Sequence, residues 1–303
     1  MTGPVDAAGP PVIAVDPPRA AVVDAVARAL AEDLLPLGDL TASLIPAGAT
    51  ATATFAARQP GVVAGRACVV ETFAQLDAGL VVDWRLPDGC RFDTGAALGT
   101  VRGPLAPLLT GERTALNFLR HLSGVASLTR RFVDLATAAS GGHTRILDTR
   151  KTTPGLRALE KAAVRAGGGV NHRANLSDAV MVKDNHLAGL SIAEAVAAAR
   201  RWWPGRAVHV ECDTLEQLEE ILATPADRAM VDNFSPELVA EAVARLAGAE
   251  RRTGRRPELE VTGGVTLATV AAYAAARPDF ISVGALTSSA GVVDLGLDLA
   301  QGA

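Results

Sequence analysis

Between Asp148 and His186 the chain concentrates side chains that carry or can acquire positive charge. Nine such residues stand there against four acids, although the chain of 303 residues has a formal net charge of −4. The nine are Arg150, Lys151, Arg157, Lys161, Arg165, His172, Arg173, Lys183 and His186. A solvated helix face interleaves the two signs, whereas these cations stand beside glycine and proline or at the ends of apolar runs. The pattern predicts a pocket for a small polyanion.

Four of these cations form the candidate binding set, namely Arg150, His172, Arg173 and Lys183. Arginine presents a fork that matches a carboxylate or a phosphate, and lysine supplies a point charge. Four converging cations would repel one another unless a polyanion joined them. The alternative is ordinary ion pairing with nearby acids such as Asp148, and the residue types alone leave it open.

Six apolar runs from about residue 145 onward are typical of strands buried on both faces, and helical patterns follow them. The residues that mark the ends of these runs are Asp148, Lys183, Glu211, Asp232, Thr262 and Gly284. Their spacing fits a strand plus a crossover helix, which predicts a parallel sheet. We favour an α/β barrel of about six strands over a doubly wound sheet, because chemistry follows six successive strands instead of one switch point.

Two acids, Glu211 and Asp232, end neighbouring strands of this predicted barrel. Carboxylates there can accept hydrogen bonds from sugar hydroxyls, hold Mg²⁺ through water, or stabilise positive charge that develops on a sugar ring. They can also simply pair with the cationic cluster. The sequence does not separate these uses.

Glycine turns follow the last two predicted strands, at Thr262-Gly263-Gly264 and at Gly284. Barrels often bind phosphate at this position through backbone N–H groups. A plain tight turn is the alternative. The place of these glycines in the strand order favours a phosphate site.

The first 110 residues read as short strands with glycine and proline turns, separated by helical segments, which suggests a small α+β domain. A long helix is predicted from Glu112 to about Ala139, with Thr110 as its N-cap and Ser123-Gly124 as a candidate break. The proline-rich start of the chain, before Pro18, reads as a loose arm.

Composition excludes several classes of protein. The net negative charge argues against a general nucleic-acid binder. No apolar run approaches the roughly 20 residues that span a bilayer, and the N-terminus lacks a basic secretory region. The cysteines, Cys68, Cys90 and Cys212, are odd in number and far apart, so we expect neither a disulfide framework nor a zinc site. These features predict a cytoplasmic protein.

Several motifs together resemble quinolinate phosphoribosyltransferase, among them ERTALNFLRHLSG, LDTRKTTPGLRALEK, GGGVNHR, VKDNH, EVTGG and ISVGALT. The upstream run GDLTASLIP matches as well, so the resemblance covers nearly the whole chain. It implies an open-faced α+β sandwich over residues 1–124 and an irregular parallel α/β barrel over 125–285. The tail, 286–303, would pack back on the first domain. It also implies a homodimer or a higher even-numbered homo-oligomer with shared active sites.

The resemblance further implies transfer of phosphoribosyl from phosphoribosyl pyrophosphate to quinolinate, giving nicotinate mononucleotide, pyrophosphate and CO₂ in NAD biosynthesis. Arg150, His172, Arg173 and Lys183 would hold the two carboxylates of quinolinate. The residues expected to act on phosphoribosyl pyrophosphate and Mg²⁺ are Lys151, Glu211 and Asp232, with Mg²⁺ held by the two acids. Phosphate would bind at Thr262, Gly263, Gly264 and Gly284.

Arg113, in the ERTALN motif, would by the same resemblance reach into the neighbouring subunit. If the long helix begins near Glu112, Arg113 lies in its first turn, where a positive charge opposes the helix dipole. A compensating anion is then expected beside it.

Three positions depart from the family pattern: Asn175 replaces a usual Gly, Thr262 a usual Ser, and Ser288 a common His. The alternatives are a related molybdenum-transport-associated phosphoribosyltransferase-like protein, a non-catalytic module that binds quinolinate, and a Schiff-base aldolase with Lys183 as nucleophile. The intact LRALEK, NHR and KDNH runs favour the quinolinate enzyme.

Overall fold

The computed structural model describes residues 16–300, so most of the predicted proline-rich arm lies outside the described residues. The first part of the chain mixes short helices with strands. These elements are α1 (Arg19–Leu34), β1 (Thr50–Ala57), β2 (Gly61–Val62), α2 (Arg66–Leu76), β3 (Val81–Trp84), β4 (Arg91–Phe92) and β5 (Ala97–Pro104). β1, β5 and β3 pair antiparallel in that order. Side chains alternate along β1, so Ala53 and Phe55 face a core that includes Phe73 of α2.

The long helix α3 (Leu105–Ser140) begins earlier than predicted and runs without a break. Pro104 is its N-cap and Thr110 does not cap it. Pro107 lies in the first turn, where no backbone N–H is needed, so the helix can begin before it. Ser123-Gly124 is no break either. A Cβ on Gly124 would lie 1.9 Å from the carbonyl oxygen of Gly291, so glycine lets the later chain cross the helix.

The second part of the chain is a parallel barrel with one open seam. Its strands are β6 (Arg145–Leu147), β7 (Ala179–Val182), β8 (Ala207–Cys212), β9 (Arg228–Asp232), β10 (Glu258–Thr262) and β11 (Phe280–Ser282). Each strand from β7 to β10 pairs with the strand that follows it, and β11 pairs with β6. Between β6 and β7 the described chain has only an isolated bridge, from Leu147 to Val170. The prediction of an irregular six-stranded α/β barrel beside an N-terminal α+β sandwich is confirmed.

Helices follow the strands of the barrel. They are α4 (Arg157–Ala166), α5 (Asp184–Leu187), α6 (Ile192–Trp202), α7 (Leu215–Leu222), α8 (Pro236–Thr253), α9 (Val270–Ala275) and α10 (Ala285–Ser288). The last strand of the described residues is β12 (Leu295–Leu299), which pairs antiparallel with β1 and so adds a strand to the N-terminal sheet. α3 packs against α2 of the first part and α4 and α9 of the second, and the predicted boundary at residue 124 falls inside it.

None of the helices within residues 16–300 combines the length and the apolar character that a bilayer crossing requires.

Candidate active site

A cavity of about 440 Å³ opens at the carboxyl ends of the barrel strands. That size suits a small-molecule site. Nine residues predicted from the sequence line it: Arg150, Lys151, His172, Arg173, Lys183, Glu211, Asp232, Thr262 and Gly263. Parallel strands bring their carboxyl ends to one face of a barrel, which is why residues up to 113 positions apart in sequence share this cavity.

Lys183 and Glu211 form an ion pair across the cavity wall. Lys183 Nζ donates to Glu211 Oε2 at 2.6 Å, and the lysine side chain is the more exposed of the two. Lys183 follows β7 and Glu211 lies in β8, and those strands are hydrogen-bonded neighbours. The pair places one cation at the wall of the cavity and leaves Glu211 Oε1 for another partner.

Arg150 and Arg173 supply positive charge that this pair does not cancel. One Arg173 nitrogen donates to the Ala179 carbonyl at 3.0 Å and another lies 3.3 Å from the sulfur of Met181. Burial lowers the pKa of Arg173, and the nearby charge of Arg150 lowers it further. An arginine nonetheless stays protonated. Two arginines close to each other at a cavity favour an anion between them.

A buried ion pair below the cavity fixes the backbone of His172. Asp148, fully buried after β6, accepts hydrogen bonds from Lys161 Nζ, from the His172 N–H at 2.8 Å and from Asn171 Nδ2 at 2.6 Å. Lys161 Nζ also donates to the His172 carbonyl at 2.9 Å. Burial raises the pKa of Asp148 and lowers the pKa of Lys161, and the attraction between the two opposes both shifts. Lys161 therefore supports the site from below.

One nitrogen of the His172 ring, Nδ1, is hydrogen-bonded to the protein, whereas Nε2 has no well-aligned hydrogen-bond partner among the described residues. Nδ1 accepts a hydrogen bond from the Arg173 N–H at 2.7 Å, an arrangement that requires Nδ1 to carry no proton. Nε2 lies 3.2 Å from Oε2 of the buried Glu260. The carboxylate contact predicted for His172 stays a prediction.

Two family models match adjoining parts of the chain. The one described as "Quinolinate phosphoribosyl transferase, N-terminal domain" matches residues 39–123, and the corresponding C-terminal domain matches 125–298. The chain belongs to the quinolinate phosphoribosyltransferase family. Its motif resemblance is thereby confirmed.

Relatives of this family member are similar over nearly their whole length. The nicotinate-nucleotide pyrophosphorylase (carboxylating) of Mycobacterium leprae is 43% identical over 283 residues, covering 91% of this chain and 96% of the relative. A probable enzyme of that name from Bacillus subtilis is 41% identical over 265 residues, covering 86% and 88%. The solved nicotinate-nucleotide pyrophosphorylase from Francisella tularensis superposes with a TM-score of 0.88 at 36% identity, covering 94% of this chain and 98% of that one.

The glycines predicted to bind phosphate differ in how much space a side chain would have at each position. Gly263 has φ of 88°, and a Cβ there would lie 2.3 Å from Asn233 Oδ1 and 2.7 Å from Asp232 Oδ1. Gly264 has φ of 59°, and no neighbour would lie within 4 Å of its Cβ. A Cβ on Gly284 would approach Lys151 Cδ to 3.0 Å, so this glycine leaves room for the lysine. Gly264 and Gly284 adjoin the cavity lining, and their phosphate contacts stay predictions.

Sequence reasoning assigned no role to Asn233, Thr149, Met181 and Met230. Asn233 has φ of 56°, a conformation that Asn tolerates, and its Nδ2 donates to Asp232 Oδ2 at 2.9 Å. It therefore orients the predicted metal-binding carboxylate. The run VDN directly after an apolar strand was a signal for it. Thr149 and the two methionines also line the cavity.

Arg113 lies outside the cavity of its own chain, exposed on α3. Because α3 begins at Leu105, Arg113 is in the third turn and not in the first, as predicted. The helix dipole acts within the first turn, so the expectation of a compensating anion for that reason was wrong.

The family departures have local explanations. Asn175 is not among the described residues with positive φ, so its position does not need a glycine. Ser288 is exposed and its hydroxyl donates to the Gly284 carbonyl at 3.0 Å. Thr262 lines the cavity as a Ser would.

Proposed function

We propose that this chain transfers phosphoribosyl from phosphoribosyl pyrophosphate to quinolinate with decarboxylation, giving nicotinate mononucleotide, pyrophosphate and CO₂ for NAD biosynthesis. The observation that carries the proposal is the cavity itself. It combines arginine and lysine charge with two carboxylates at successive strand ends. That set suits a substrate with two carboxylates beside a sugar phosphate. The names of the relatives support the same activity.

In this reaction the pyridine nitrogen bonds to C1 of the ribose while the C1–O bond to pyrophosphate breaks. The carboxylate beside the nitrogen then leaves as CO₂, and its electron pair stays on the ring carbon next to the pyridinium cation until a proton arrives. Arg150, Arg173 and Lys183 bind and orient the diacid, which lowers the barrier by positioning. Tight pairing would oppose departure of the carboxylate that is lost, so its contacts are the weaker ones.

Glu211 and Asp232 fit a site for Mg²⁺ that substrate phosphates complete. Each has one oxygen bonded to a neighbour, Lys183 or Asn233, and one oxygen for another partner. No group of three or more candidate ligands occurs among residues 16–300. Mg²⁺ commonly binds through one or two carboxylates together with waters and substrate phosphates. Bound there, it would neutralise charge on the departing pyrophosphate.

The metal assignment predicts that Asp232→Asn lowers turnover on the order of 10²-fold and raises the Mg²⁺ concentration needed for half-maximal rate. The amide preserves the shape and removes the charge that attracts the cation. Pyrophosphate release measured against Mg²⁺ concentration tests this. Asp213→Asn is the control, because Asp213 follows the same edge of the barrel but is exposed outside the cavity lining. Equal Mg²⁺ curves for the two variants would contradict the assignment.

The overall activity is tested by pyrophosphate release from phosphoribosyl pyrophosphate, with quinolinate or nicotinate as acceptor. We expect release with quinolinate, matched mole for mole by CO₂, and little with nicotinate, which lacks the second carboxylate for the arginines. Binding of quinolinate without any release would favour a non-catalytic module.

The active assembly, in this proposal, is a homodimer or a higher even-numbered homo-oligomer whose sites receive Arg113 from a partner. Four leucines of the segment between α1 and β1 are largely exposed: Leu35, Leu37, Leu40 and Leu44, at 73%, 77%, 65% and 82%. Their segment is fixed to α3, since Thr110 Oγ1, three residues before Arg113, donates to Asp39 Oδ2 at 2.9 Å. Clustered exposed leucines favour an interaction surface.

The compartment we propose is the reducing cytoplasm. The three cysteines are free, and burial raises the pKa of Cys68 and of Cys212 to about 12, which keeps both thiols protonated and unreactive. Free thiols are usual where glutathione keeps proteins reduced. Fractionation of expressing cells tests this proposal.

A further inference from the structure

Glu260 is a fully buried carboxylate in the middle of β10, inside the barrel below the cavity. Burial favours the neutral form, but contacts with His172 and Arg228 outweigh it, so the pKa of Glu260 lies below its usual value and the group is ionised. A negative charge beneath a cavity for anions opposes binding. Its presence calls for another role.

One oxygen of the Glu260 carboxylate lies close both to Arg228, at the start of β9, and to His172, which lines the cavity. Arg228 Nη1 donates to Glu260 Oε2 at 2.8 Å, and His172 Nε2 lies 3.2 Å from the same oxygen. The N–H of Nε2 is not well aligned with it, and Glu260 Oε1 has no hydrogen-bond partner among the described residues. Arg228 is held from outside as well, by Glu258 at 2.7 Å.

The His172 ring in turn contacts the backbone of Arg173. With its proton on Nε2, the ring offers the Nδ1 lone pair to the Arg173 N–H at 2.7 Å. The neighbouring His209 packs edge-on at 5.4 Å between ring centroids, and burial lowers its pKa to about 4, so it is neutral and does not compete for the charge of Glu260. Glu260 is thus the acid that faces the His172 ring.

We propose that Glu260 is a positioning residue: it holds the His172 ring with the proton on Nε2, so that Nδ1 fixes the backbone of Arg173 and places its guanidinium for the substrate. The substrate part of this inference rests on the proposed function. The state of the ring does not, because it follows from the contacts within the free protein.

The first test is the protonation state of His172 in the wild-type protein without substrate. Long-range ¹H–¹⁵N NMR of the imidazoles distinguishes the two neutral forms from the cation, and loss of one signal set in His172→Gln assigns it. We expect a neutral ring with its proton on Nε2. A proton on Nδ1, or on both nitrogens, overturns the proposal whether or not any variant folds.

The second test compares Glu260→Gln with Glu258→Gln, which alters another partner of Arg228 two residues away on the same strand. Replacing a charged acceptor by a neutral one weakens the hold on the ring, so we expect the KM for quinolinate to rise about fivefold to tenfold in Glu260→Gln. The KM for phosphoribosyl pyrophosphate should stay nearly constant, and the Nε2 proton signal of His172 should move. Glu258→Gln should change none of these.

If Glu260 has a purely structural role, Glu260→Gln lowers the melting temperature but changes neither KM nor the His172 signal. That result overturns the proposal, as does an equal rise in both KM values. If the wild-type protein does not turn over quinolinate, the proposed function fails. The position of the His172 proton and its response to Glu260→Gln then still decide the positioning role.

Discussion

Replacing Lys183 by alanine should lower kcat/KM for quinolinate on the order of 10³-fold in a protein that stays folded. The variant removes one cation from the cavity wall and leaves its partner, Glu211, as an unpaired carboxylate. The cavity loses attraction for the substrate and gains repulsion. Steady-state pyrophosphate release measures the effect, and circular dichroism with the melting temperature checks the fold.

The double variant Lys183→Ala/Glu211→Ala separates the two causes. If the unpaired carboxylate contributes, removing it should improve quinolinate binding relative to Lys183→Ala alone, although turnover stays low because Glu211 is itself needed. Arg206→Ala is a control for general loss of positive charge, since Arg206 is exposed and outside the lining of the main cavity. A folded Lys183→Ala variant with wild-type turnover would remove the anion-binding role of this cavity.

Mixing two inactive variants, Arg113→Ala and Lys183→Ala, should restore activity to about a quarter of the wild-type value. Arg113 is exposed outside its own cavity, whereas Lys183 lines it. If each site takes Arg113 from one subunit and Lys183 from the other, a mixed dimer contains one complete site. With random pairing of equal amounts, half of the dimers are mixed, and half of their sites are complete.

The mixing experiment needs proof that subunits exchange, for example by transfer of a tag between the two variants. The control is a mixture of Lys183→Ala with Arg173→Ala. Both of these residues line the cavity of one chain, so no mixed dimer contains a complete site and no recovery is expected. Exchange without recovery in the Arg113→Ala mixture would show that Arg113 serves its own chain.

The residues at strand ends were predictable from the sequence because each directly follows an apolar run. Lys183, Glu211 and Asp232 share a cavity for that reason alone, since parallel strands place their carboxyl ends together. Which of these side chains form ion pairs with each other was not predictable. Lys183 and Glu211 are 28 positions apart, and only the pairing of β7 with β8 brings them into contact.

The support beneath the cavity escaped prediction for a different reason. Glu260 stands inside an apolar run, and a barrel strand is buried on both faces, so periodicity does not show which side chains point inward. Its partner Arg228 begins another strand. Lys161 looked like one more cation of the pocket, because nothing in the sequence shows that α4 directs it to Asp148. Contacts between distant segments set these roles.

Lysine is confined to this site. The chain contains three lysines in all: two line the cavity, Lys151 and Lys183, and the third, Lys161, is buried beneath it. Arginine supplies the remaining strong positive charge of the sequence. An amine-reactive reagent therefore meets, apart from the α-amino group, side chains of the active site alone. Its rate of incorporation becomes a direct measure of site occupancy, and coupling the protein to a surface through lysine blocks the cavity.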